Sequence, residues 1–185
     1  MAQRPPDHRK IINLYAALGA GLALTLVPMA LAAGVSLLFI TGVLIAAYIM
    51  RGRTESGSLL ENHATYIIRT IWIGSLFSMI CVIAGSTYMH YNLNFLPLEA
   101  CANDAAALLT GMTNADMAAM EAFGADLMAR MKPCLEGFLA ANKTVLYTAT
   151  VIAAVPILLY FAVRYVRGLS RAVKGYRIAK PLGWF

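Results

Sequence analysis

Charge is scarce in this sequence. Only 13% of its 185 residues are Asp, Glu, Lys or Arg, while 60% are apolar. Soluble domains carry roughly 25% charged residues. A chain of this length builds one compact unit, which cannot hide so large an apolar excess from water. Lipid is therefore the expected solvent. No charged residue falls in the central part of any proposed membrane span. Ion-coupled transporters and proton relays keep such groups, because a buried charge is costly and is retained for function. The sequence also lacks a Ser-His-Asp set, paired intramembrane carboxylates, a phosphate-binding glycine loop and an HExxH-like motif. We expect no enzymatic activity, no catalytic residue and no cofactor.

What is present is organised in long apolar runs. Residues 11–50 form one uncharged stretch. As a single helix it would be about 60 Å long, twice the roughly 30 Å hydrocarbon thickness, so it should fold back on itself. Pro28 and Gly34 bracket the expected break, giving helices over about 11–29 and 34–50. The basic N-terminus and the small residues Ala30 and Ala32 outline a secretory signal. The apolar stretch is longer than an h-region of about 7–15 residues, and the expectation is a retained membrane segment. Gly52, Ser56, Gly57 and Ser58 mark a loop before a third helix, about 58–89, with Trp72 near its membrane edge, where an indole suits the headgroup region.

Residues 90–143 differ in kind, with six acids and three bases. They read as a small, mostly helical, water-facing subdomain. Pro97 opens one expected helix to about residue 110. Thr113 or Asn114 caps a second, about 115–131, with Met117, Met120, Phe123, Leu127 and Met131 on one face. A fourth membrane helix follows, about 144–174, bent by Pro156 and ended by Gly175.

The basic residues orient this arrangement. Four spans place twelve of the fifteen Lys and Arg on one side, leaving Arg130, Lys132 and Lys143 on the other. The side with twelve is cytoplasmic by the positive-inside rule. The expected fold is thus all-α: an integral membrane four-helix bundle, residues 1–89 and 144–185, with both termini cytoplasmic. Residues 90–143 form an extracytoplasmic insertion between helices 3 and 4.

Of three cysteines, Cys81 lies within a span and reads as a packing residue. Cys101 and Cys134 flank the external subdomain, where an oxidising compartment lets them pair. The alternative is two unrelated buried thiols. A metal site is disfavoured, because His90 is the one soft ligand nearby. His63 admits two readings, a proton-responsive switch or an interfacial histidine hydrogen-bonded to a neighbouring loop or a lipid headgroup. Arg164, Arg167, Arg171 and Lys174 recur every three or four residues, a stripe that attracts anionic lipid or simply sets topology. Nucleic-acid binding has no support beyond charge. Small residues are plentiful. Ala17 and Gly21, and Gly74 and Ser78, are spaced four apart and permit close helix approach, either inside the bundle or against a partner helix.

Two stretches carry a resemblance. One is Arg51-Gly52, Ser58-Leu59, His63, Tyr66, Ile68-Arg69-Thr70 and Trp72-Ile73-Gly74. The other is Arg164, Val166-Arg167-Gly168-Leu169, Ala172, Gly175, Pro181 and Trp184. Together they resemble an uncharacterised bacterial inner-membrane family, a domain of unknown function distantly similar to the Tic-type protein-import component of the chloroplast inner envelope. The resemblance covers about residues 11–89 and 144–184. It implies a compact helical bundle in which His63, Arg69, Trp72, Arg167 and Gly168 form a cytoplasmic-face cluster tying helix 3 to helix 4. Members of that family have a short connection where this chain has its Cys101–Cys134 subdomain. The leading expectation is a non-enzymatic accessory or assembly subunit of the bacterial inner membrane, binding lipid and either another membrane protein or further copies of itself. The alternatives are an oligomeric channel or protein-translocation component, or an anionic-lipid-binding membrane organiser.

Overall fold

The uncharged run over residues 11–50 folds back on itself, as its length requires. The computed structural model describes residues 6–27, 29–99, 101–102, 117–181 and 183. These residues contain helices and no strand. Four long helices follow in order: α1, Pro6–Leu24; α2, Ala30–Arg53; α3, Leu59–Asn92; and α4, Met117–Val173. The chain divides into two compact units, Met1–Cys81 with Ala154–Phe185, and Val82–Ala153. The second unit is wider at both ends than the 90–143 subdomain expected from charge.

In the first unit α1 and α2 form an antiparallel pair. The break falls earlier than expected: α1 stops at Leu24 and α2 begins at Ala30. Gly34 therefore lies inside α2, not at its start. The reason is local. A proline at position 28 disfavours helical geometry at Val27, and the Thr25 hydroxyl turns back to the Leu22 carbonyl at 2.6 Å. Ser36 then stitches the pair together, donating to the Gly21 carbonyl at 2.8 Å. The approach is close there, since a Cβ on Gly21 would lie 3.2 Å from both Ile40 Cγ1 and Phe39 Cβ.

The start of α3 is set by Ser58 and Glu61. Ser58 Oγ accepts from the Glu61 N–H at 3.1 Å, and the Glu61 carboxylate accepts from the Gly57 N–H at 2.8 Å. This is a capping box displaced by one residue at its outer end. Gly57 occupies the left-handed region, φ +85°, which a side chain would disfavour. The end of α4 is equally explicit. Gly175, at φ +71°, donates to the Ala172 carbonyl at 3.0 Å, and Tyr176 donates to the Arg171 carbonyl at 2.9 Å. That double bond is a Schellman motif.

The core of this unit follows from helical spacing. Ile11, Leu14, Tyr15 and Leu18 share one face of α1, and Leu60, Ala64, Ile67, Ile68 and Ile71 share one face of α3. Ala172 and Ile178 join them from beyond the middle of α4 and from the segment after it.

In the second unit, three residues spaced four apart on α4 hold the segment that follows α3. Asn142 is buried. Its Oδ1 accepts from the Asn94 N–H at 2.7 Å, and its Nδ2 donates to the Asn94 carbonyl at 2.8 Å. Phe138 packs on Phe95 with ring centroids 5.9 Å apart. Cys134 has its sulfur at disulfide distance from that of Cys101, with the Cα atoms 6.4 Å apart, inside the usual range for a bridge. Gly85 allows α3 to approach α4 closely, for a Cβ there would lie 2.9 Å from the Ala149 carbonyl oxygen. Residues 103–116, which include most of the helix expected to open at Pro97, lie outside the described residues, as do the side chains of Met117, Met120 and Phe123. The second expected subdomain helix is not separate. It is the start of α4, which continues through Pro133 and Pro156.

Three helical segments are long and apolar enough to cross a membrane: Ala30–Arg53, Leu59–Asn92 and Leu127–Val173. α1 is not among them. Asp7, Arg9 and Lys10 occupy its start, and the uncharged remainder of 14 residues would extend about 21 Å. The expectation of four spans thus meets three helices of clear spanning length and one shorter partner.

Candidate functional site

The first unit contains a buried polar cluster among α1, α3, α4 and residues 176–183. It is built from side chains that each point at a specific backbone group. Asn62, in the first turn of α3, treats Ile178 as a neighbouring strand would. Its Nδ2 donates to the Ile178 carbonyl at 3.1 Å, and its Oδ1 accepts from the Ile178 N–H at 2.8 Å. One residue on, His63 is fully buried. Its Nε2 lies 3.0 Å from the Tyr176 carbonyl and its Nδ1 lies 3.1 Å from the Tyr15 hydroxyl. A carbonyl only accepts, so Nε2 carries the proton, and in the neutral ring Nδ1 accepts from Tyr15. Both ring nitrogens are engaged, one with the segment after α4. Of the two readings of His63, this geometry is that of a hydrogen-bonded anchor.

Arg164 forms the second half of the cluster. It is only 2% exposed. Its Nε donates to Thr70 Oγ1 at 3.0 Å, and its Nη1 donates to the Gly183 carbonyl at 2.9 Å. Its guanidinium carbon stands 4.2 Å from the centre of the Tyr66 ring, a cation–π arrangement. Tyr66 in turn donates from its hydroxyl to the Arg164 carbonyl at 3.0 Å, and Thr70 donates to the Tyr66 carbonyl at 2.8 Å. A closed circuit of hydrogen bonds thereby joins α3 to α4. A buried cation is tolerated when its donors find acceptors, and here hydroxyl, carbonyl and aromatic face surround it.

The structure sorts the residues anticipated from sequence. His63 and Gly168 meet through Tyr15, which hydrogen-bonds to the first and packs on the second. Arg69 is half-buried, and its Nε has no hydrogen-bond partner among the described residues. Trp72 faces away from the cluster. It is 58% exposed, and its indole donates to the Tyr48 hydroxyl of α2 at 3.0 Å. Arg167 is exposed and borders an apolar groove between α3 and α4.

The basic stripe does not survive as a uniform face. Arg164 is buried, and its Nε and Nη1 donate to Thr70 and to the Gly183 carbonyl, so it does not face outward with the rest of the stripe as the spacing suggested. Arg171 donates to the Arg177 carbonyl at 3.1 Å. Arg167 and Lys174 remain exposed. Tyr15, Asn62, Tyr66 and Thr70 complete the cluster. Their signal in the sequence is faint: hydrogen-bonding side chains inside or beside runs otherwise filled by apolar residues.

Among the small residues, Gly19, Gly21 and Gly74 pack internally, whereas Gly34 and Gly42 have nothing within 4 Å. A Cβ on Gly74 would collide with the Phe161 ring, and one on Gly19 with the Tyr165 ring. Among the described residues, no group of three or more His, Cys, Asp or Glu is placed to hold a metal ion. Comparison with protein-family models, curated proteins and solved structures found no match to this chain.

Proposed function

We propose that the protein is a non-catalytic membrane subunit, an accessory or assembly component of a larger complex in the bacterial inner membrane. One observation carries this reading. The buried polar side chains of the cluster are directed at the chain's own backbone at Tyr176, Ile178 and Gly183. Such an arrangement holds the segment after α4 in one place. It makes an ordered, basic surface that another protein can recognise. The resemblance to a bacterial inner-membrane family, read from the same stretches, supports the membrane location, while its distant similarity to a protein-import component favours the channel or translocation alternative.

In this reading the chain is a four-helix membrane bundle with both termini cytoplasmic and residues 90–143 periplasmic. The antiparallel pairing of α1 with α2 brings the start of α1 beside Arg51 and Arg53, whether or not the short apolar part of α1 reaches across the bilayer. The basic residues then collect on the cytoplasmic side, as the positive-inside rule requires. The Cys101–Cys134 pair belongs on the oxidising side.

The test is purification of the tagged protein from its native membrane in mild detergent. The expected result is a stoichiometric partner that stays with the wild type and is lost from Asn62→Ala and from a chain ending at Gly175, both still folded. A partner retained by both variants would remove the clamped segment from the proposal. A homo-oligomer without a partner would favour the channel reading instead, and flux measurement would follow.

A further inference from the structure

The apolar groove between α3 and α4 has a volume of about 480 Å³. Its walls include Ile73, Leu76 and Ile80 from α3 and Leu159 and Val163 from α4, with Arg167 at one end. From Tyr66 to Ile80 it follows α3 for about 21 Å. One leaflet of a bilayer is about 15 Å deep in hydrocarbon. The groove is therefore long enough to run from headgroup level through a leaflet, and α3 and α4 are both of membrane-spanning character.

Its polar end carries charge of one sign. Arg167 is exposed. Arg69 stands on the face of α3 shared by Ile73, Leu76 and Ile80, at spacings of four, three and four. Its Nε is buried without a hydrogen-bond partner among the described residues. No carboxylate lines the groove among the described residues. A second apolar groove, between α1 and α2, differs in this respect. Its one lining cation, Lys10, is 3.3 Å from Asp7.

We propose that the α3–α4 groove holds one acyl chain of an anionic phospholipid, with the phosphate at Arg167 and Arg69. This differs from a basic stripe that attracts the membrane surface: the chain is inserted between two helices, and Arg164 acts only as wall. Lipid tails are as apolar as the groove, so the chain adds little selectivity. The headgroup supplies it, at roughly 1 kcal/mol per basic side chain, or about fivefold in affinity.

The test is native mass spectrometry of the detergent-purified protein incubated with phosphatidylglycerol or with phosphatidylcholine of identical chains. The wild type is expected to retain one phosphatidylglycerol in preference to phosphatidylcholine. Arg167→Gln should lower that preference about fivefold, and Lys180→Gln, outside the groove, should leave it unchanged. Val163→Trp should abolish retention of both lipids, with Leu159→Trp as a second groove-filling variant if the first does not fold. Equal retention of the two lipids would overturn the proposal. So would retention indifferent to a folded groove-filling variant, or a polypeptide crosslinked in the groove in place of lipid.

Discussion

The Tyr15 ring lies against the backbone of Gly168, so closely that a Cβ at that glycine would stand 2.5 Å from the Tyr15 hydroxyl oxygen and 2.7 Å from Cε1. The relationship is reciprocated by Gly19 and Tyr165, where an added Cβ would stand 2.8 Å from Cζ. Each helix thus offers a glycine to the other's tyrosine. In a membrane, association of helices depends on such close packing rather than on exclusion of water. Gly168→Ala is expected to destabilise the protein by about 1–3 kcal/mol, the usual cost of overpacking. Gly42→Ala, at a position with nothing within 4 Å, should be neutral or slightly stabilising. Thermal unfolding in detergent decides between the two, and equal Tm values would remove the interlock.

The clamp on residues 176–183 predicts a proteolysis result. Asn62→Ala strands the N–H and carbonyl of Ile178, a residue only 3% exposed. An unsatisfied buried polar group costs about 1–3 kcal/mol. A loss of about 2 kcal/mol raises the open population about 30-fold. Trypsin should therefore cut after Arg177 about 30-fold faster than in the wild type, when opening is fast relative to cleavage. Unchanged cleavage would mean that Asn62 does not hold the segment.

Arg164 should not be replaceable by lysine. A lysine can donate to Thr70 or to the Gly183 carbonyl, but it lacks the fixed fork and the planar face that lies over Tyr66. The expected cost of Arg164→Lys is about 1–2 kcal/mol, from a lost hydrogen bond and a weakened cation–π contact. A Tm equal to that of the wild type would show that charge alone matters at this position.

In the second unit, oxidised protein should resist alkylation at Cys101 and Cys134 until it is reduced. The two cysteines are 33 residues apart, and closing a loop of this size contributes about 3–4 kcal/mol. Reduction should lower Tm by a corresponding amount. Free labelling of both thiols in oxidised protein, identified by peptide mass, would remove the crosslink.

Several features followed from residue order alone. The long apolar runs could satisfy their backbone only as helices, and α3 and the end of α4 lie close to where hydropathy placed them, whereas α2 starts earlier, at Ala30. Ser58 and Gly175 marked helix ends because each supplies a local bond or a backbone conformation that needs no distant partner. The Cys101–Cys134 pairing was legible because no other cysteine shares their subdomain. What the tertiary structure decided was which side chain meets which partner. Spacing put Arg164 on one face with Arg167 and Arg171, yet could not say that Thr70, Tyr66 and Gly183 would bury it. Neither Asn62 nor Tyr15 announces its role, since their partners lie over a hundred and nearly fifty residues away, at Ile178 and His63. The second subdomain helix expected to end near Met131 runs on through Pro133, against local preference, where Cys134, Phe138 and Asn142 all grip the segment after α3. Local chemistry determines where a helix starts and stops, whereas the identity of a buried contact depends on surfaces that only the folded chain brings together.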